Sequence, residues 1–134
     1  MTSAAPDADR VRRHEGMVHA LCVAADHADA DGFASYFAAD ATYRFANNEP
    51  LVGRAAIAAA TAGTVDAVWP VRHQVDQIAV IGPQLFCRFT ILVSKPGGIR
   101  LALPCVTVIE LDGDLIIDYR VHMDITPGLR RTPG

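Results

Sequence analysis

The hydrophobic rhythm of the chain changes once, at Pro70, and that change restricts the available folds more than any other feature. Before Pro70 apolar residues recur at helical intervals; after it they alternate with polar ones, the pattern of strands whose successive side chains point to opposite faces. Val71 to Ile81, Leu85 to Ser94, Ile99 to Leu111 and Leu115 to Ile125 read as three or four long strands. Gly82-Pro83, Pro96-Gly97-Gly98 and Asp112-Gly113-Asp114 separate them with turn residues at hairpin lengths. Pro104 has no amide hydrogen to donate, so it predicts a bulge or an edge position that helps the sheet curl.

Upstream, Val11, Val18, Leu21, Cys22 and Ala25 fall on one arc and predict an amphipathic helix from about Ala8 to His27. Asp29 or Asp31 is suited to cap a short second helix through Phe37, burying Phe33, Tyr36 and Phe37. Ala41 to Phe45 reads as a short strand, and Gly53 opens an alanine-rich third helix from Arg54 to about Val65. Helices followed by a strand meander specify an α+β fold, three helices packed on one face of a curved antiparallel sheet around an apolar pocket. The 134 residues, 51% hydrophobic and 20% charged, fit one domain over 1–134 with a core at about 9–129 and loosely held ends.

A net charge of −3, with acidic and basic residues interspersed, leaves no basic face for nucleic acid. Cys22, Cys87 and Cys105 are odd in number and set among apolar neighbours, which predicts buried free thiols. Gly16 to Ala25 follows three arginines like a leader segment, but His19 interrupts it and no clean cleavage site follows. No apolar run approaches the ~20 residues of a membrane span, so the expected location is the cytoplasm. His14, His19 and His27 lack a second ligand group, and HxxxH, CxxC and phosphate-loop patterns do not occur, so neither a metal nor a cofactor is expected.

Of the residues that carry chemistry, His73 shares strand parity with Val71, Val75, Ala79 and Ile81 and therefore belongs among inward-facing side chains. By spacing alone it fits either a hydrogen-bonded core histidine or a general acid–base group. Asp26 lies at the margin of the apolar arc of the first helix, where its carboxylate could hold an imidazole or equally point to water. Tyr43 could donate its hydroxyl to a carbonyl or enolate oxygen, or simply pack. Arg88 interrupts an apolar strand and needs a carboxylate or ligand unless its face is open to water. Asp124 shares parity with the polar set Asp118, Arg120 and His122, yet a bulge near Pro127 could turn it inward.

The helix order, the Asp-Gly-Phe opening at Asp31, the strand Ala41-Thr-Tyr-Arg-Phe45, the Gly53-Arg-Ala-Ala-Ile57 helix start and the closing strands resemble the nuclear transport factor 2-like superfamily, specifically its SnoaL-like members. The resemblance spans about Val11 to Leu129 and implies a cone-shaped α+β barrel with a deep pocket, forming homodimers through the outer sheet face. Ketosteroid isomerase residues are missing, with Leu21 and Phe45 in their places. The limonene-epoxide hydrolase set retains Tyr43 and Arg88 but has Thr90, Val121 and Phe45 elsewhere. SnoaL-type polyketide cyclases place an aspartate late on the last strand, similar to Asp124. The scytalone dehydratase and dehydrochlorinase branch uses an Asp–His dyad matching Asp26 and His73, with Tyr43 as pocket tyrosine; Val68-Trp69-Pro70-Val71-Arg72-His73 looks like the dehydrochlorinase and adds Trp69 to the substrate wall. Ala25 and Ser94 stand where the dehydratase has its second tyrosine and second histidine. The resemblance implies a cofactor-independent dehydratase, lyase, isomerase or cyclase acting on a small apolar, often cyclic, molecule. The alternatives are a cyclase using Asp124 and a protein that binds such a molecule without transforming it.

Overall fold

Asp7 accepts the amide hydrogen of Asp9 (2.9 Å) and so caps helix α1 (Ala8–Asp26) at the point where its first amides lack partners. The computed structural model describes residues 7–130. The predicted loose ends at 1–6 and 131–134 lie outside them. Helix α1 buries Val18, Leu21 and Cys22 as its spacing predicts, and also His14 and Met17. It ends with Ala28 in the left-handed region (φ 56°), where the amides of Ala28 and Asp29 return to the carbonyls of Ala25 (3.1 Å) and Ala24 (2.8 Å). This termination fixes Asp26 as the last helical residue.

Asp29 caps the short helix α2 (Ala30–Ala34), and strand β1 (Phe37–Phe45) begins sooner than predicted because Phe37 already points into the core, fully buried. Burying a side chain of that size contributes about 2 kcal/mol. A two-residue strand β2 (Leu51–Val52) that periodicity is too short to reveal pairs with β1. Gly53, at φ 100°, then turns the chain into helix α3 (Arg54–Ala67). Strands β3 (Val71–Ile81), β4 (Gln84–Lys95), β5 (Ile99–Asp112) and β6 (Leu115–His122) follow as predicted, apart from β6 stopping three residues early.

The six strands form one curved sheet in the order β2-β1-β6-β5-β4-β3, which stays open between β2 and β3. The α+β reading holds with one refinement: β1 runs parallel to β6, so the sheet is mixed rather than wholly antiparallel. Pro104 lies in the part of β5 that has outrun β6, whose pairing begins at Val106; it is an edge position on that side, with no bulge in its β4 pairing. The bulges lie elsewhere. An extra residue at Asp76 reverses the parity of β3, so Ile78 and Val80 pack on the core while Ile81 is exposed, correcting the predicted inward set Ala79 and Ile81. A second one at Ile117 likewise buries Ile116 and exposes Leu115. The tail expected to be loose from Pro127 is held through Arg130: Val68 bridges Leu129, and the amides of Trp69 and Arg130 bond Gly128 (3.0 Å) and Ala67 (2.9 Å).

Candidate functional site

Helix α3 buries only Ile57, and the face it turns to the sheet carries Ala60, Thr61 and Thr64. Such short side chains do not fill the space beneath them, and a cavity of about 690 Å³ is left between helices and sheet. Its wall is largely apolar, with Phe33, Ile91, Val121 and Met123 on it, and the tail residues Leu129 and Arg130 close one side. The Arg130 guanidinium lies 4.4 Å from the centroid of the Trp69 ring, which itself lines the cavity.

Into this cavity the chain brings Asp26 and His73 together. Asp26 Oδ1 lies 2.6 Å from His73 Nδ1, and the backbone amide of His73 donates to Oδ2 at 3.0 Å and Oδ1 at 3.2 Å. A carboxylate at a helix C-terminus faces the negative end of the helix dipole and needs donors to offset that placement. The edge position of β3 supplies them, because the outward amide of His73 has no neighbouring strand to pair with. Both side chains are shielded, 14% exposed for Asp26 and 19% for His73. The His73 ring also packs edge-on to Phe89 (5.5 Å, 87°). With Nδ1 donating to the carboxylate, Nε2 carries the lone pair of the neutral ring, and it bonds no described residue. The pair can therefore accept a proton at Nε2 and stabilise the imidazolium that results.

Tyr43 is on the cavity wall, stacked on Tyr119, and burial pushes its pKa up to about 12. Tyr119, assigned by parity to the apolar set, was missed as a site residue: nothing in a single strand shows that it neighbours Tyr43 across a parallel pair. His27, Asn48 and Glu49 also reach the cavity from loops that carry no periodic signal.

Two predicted positions fall outside. Arg88 is exposed on the opposite face of the sheet, beside Val106, which corrects its place as a substrate contact. Asp124 is likewise exposed and off the cavity wall. Its carboxylate accepts the Thr126 amide at 2.9 Å, and hydrogen bonds from the Thr126 side chain and backbone hold its pKa below the ordinary range. The chain does turn beyond β6, but the turn holds the Asp124 carboxylate on the Thr126 amide and does not bring it into the cavity. Cys22, Cys87 and Cys105 are buried and unpaired. Among the described residues no group of three His, Cys, Asp or Glu side chains is placed to hold a metal ion.

Residues 18–119 match the SnoaL-like domain family. No curated protein matches the chain. Among solved structures, a protein of ketosteroid isomerase-like fold from Catenulispora acidiphila, crystallised with trimethylamine, superposes with a TM-score of 0.74 at 20% identity, over 82% of this chain and 86% of that one. A protein from Jannaschia sp. CCS1, provisionally described as a SnoaL-like polyketide cyclase, gives 0.75 at 16% identity over 91% and 92%. The epoxide hydrolase/cyclase-like enzyme SalBIII, with a role in pyran ring formation in polyether salinomycin, gives 0.72 at 19% over 88% and 96%. At these identities the likeness is one of fold.

Proposed function

The chain belongs to the SnoaL-like domain family, and from there we propose that it is a cofactor-independent acid–base enzyme, a dehydratase or lyase, or an isomerase or cyclase, acting on a small apolar, cyclic carbonyl compound. The observation that carries this reading is the 2.6 Å contact between Asp26 and His73 on the wall of an apolar cavity. His73 Nε2 removes a proton from carbon next to the carbonyl while Asp26 holds the ring and balances its new charge. Tyr43 donates to the oxygen on which negative charge collects, and Trp69 forms part of the apolar wall against the substrate.

Deuterium exchange into a panel of cyclic ketones in D2O, followed by NMR, tests the reading without a known substrate. The wild-type protein should accelerate exchange at the carbon beside the carbonyl, and His73→Ala should lose a hundredfold to ten-thousandfold of that acceleration. Equal exchange by the two proteins would overturn it. A second reading, a protein that binds an apolar molecule unchanged, draws on the largely hydrocarbon wall; ligand binding with no exchange would favour it.

The protein works in the cytoplasm, a placement supported by three unpaired cysteines. It pairs with a second copy through the outer sheet face, where Leu92 and Val106 lie; light scattering at twice the 14.4 kDa chain mass is the expected result.

A further inference from the structure

Tyr43 and Tyr119 are direct neighbours on the parallel strands β1 and β6, so their side chains project from the sheet in the same direction. Their rings are parallel to within 7°, with centroids 5.3 Å apart. Phe33 meets both edge-on, at 81° and 80°, and holds them in that arrangement. Neither phenol oxygen bonds a described residue, and neither is sealed in, since among the described residues only His14 Nδ1 is a fully buried side-chain nitrogen or oxygen without a partner. Both residues line the cavity, which is the open space next to the two phenols. Packing alone gives no reason for them, because phenylalanine would keep the stack and avoid placing a polar group without a partner in a core.

Parallel rings from adjacent strands place the two hydroxyls about 5 Å apart. An oxygen set about 1 Å off the line joining them is about 2.7 Å from each, the preferred O–H···O separation, and meets them at the bent angle of its two lone pairs. We propose that Tyr43 and Tyr119 form a two-donor clamp for a single substrate oxygen, which selects ketones, whose carbonyl oxygen offers two lone pairs, over alkenes of the same shape. This deepens the acid–base reading and rests on it for the chemical step. When His73 takes the proton, the C–H electron pair forms the C=C bond and the carbonyl π pair moves onto the oxygen, giving an enolate held by both hydroxyls; the proton on His73 is then replaced by a solvent deuteron, which His73 delivers to the carbon as the C=C pair forms the new C–D bond and the oxygen pair re-forms the carbonyl. Burial keeps both phenols protonated, and so donors, at neutral pH.

The test compares binding of 4-tert-butylcyclohexanone with that of its methylene analogue, which has the same shape and no oxygen. Wild-type protein should prefer the ketone, and Tyr43→Phe and Tyr119→Phe should each reduce the preference three- to tenfold, roughly the worth of one hydrogen bond. The infrared carbonyl stretch of the bound ketone should be lowest in wild type and rise in each variant. No ketone preference in wild type, or a preference and stretch unchanged by Tyr119→Phe, would overturn the clamp. His73→Ala should keep preference and stretch while losing deuterium exchange. Exchange that survives His73→Ala, with preference still lost in the tyrosine variants, would remove the acid–base reading and leave the clamp standing.

Discussion

Replacing Asp26 by asparagine keeps the shape of the side chain and removes its charge, which makes it the sharpest probe of the contact with His73. In the native arrangement the carboxylate accepts from Nδ1 at 2.6 Å and from the His73 amide at 3.0 Å and 3.2 Å. If the carboxamide oxygen of the Asp26→Asn variant keeps the ring contact, its amino group faces the His73 amide, donor against donor, and one bond is lost outright. A hydrogen bond to a charged group contributes about 1.5–3 kcal/mol. Because the two side chains are only 14% and 19% exposed, solvent screening takes little from that figure. Removing a negative charge from the end of α1 returns roughly 0.3–1 kcal/mol. The net loss is about 1–2 kcal/mol, and at about 4 °C per kcal/mol for a domain of this size Tm should fall by about 4–8 °C. Thermal unfolding followed by circular dichroism reads this directly. An Asp26→Asn melting curve within a degree of wild type would mean that the carboxylate is not held by His73.

Ala28 occupies a left-handed position that favours glycine (φ 56°), so Ala28→Gly should raise Tm by roughly 2–4 °C, from about 0.5–1 kcal/mol of relieved strain; a lower Tm would contradict that helix ending. Burial pushes the Cys22 and Cys87 thiols up to about 12, so at pH 8 both remain unionised and should resist iodoacetamide in the folded protein. Mass spectrometry should then show modification only after unfolding, whereas rapid labelling of the native protein would place a thiol at the surface.

How much could be read from sequence depended on how far each residue's position follows from its neighbours in the chain. The strand limits of β3 and the run of α1 were legible because each spans several periods of its pattern. The face of Ile78 and the exposure of Ile81 were not, because a single extra residue at Asp76 reverses every position after it without leaving a mark in composition. Asp26 and His73 were visible separately, one by its place on the helical arc and the other by strand parity. Their joining depends on α1 covering the edge of β3, a pairing that the resemblance suggested and that the fold brings to 2.6 Å. Arg88 illustrates the opposite error: a charge within an apolar strand gave a reason to suspect a ligand, although in alternation it simply marks the face turned away from the cavity. Tyr119 stayed hidden because its significance lies in the parallel pairing of β1 and β6, two strands separated by most of the chain.

The central claim is that Asp26 holds His73 with its proton on Nδ1, leaving Nε2 as a base facing the cavity. Long-range 15N–1H correlation spectra of imidazole-labelled protein, recorded where the ring is neutral, distinguish the two tautomers. The Nδ1–H form is expected in wild type, shifting toward a mixture in Asp26→Asn. A His73 ring found in the Nε2–H form in wild type would contradict both the dyad and the direction in which it moves the proton.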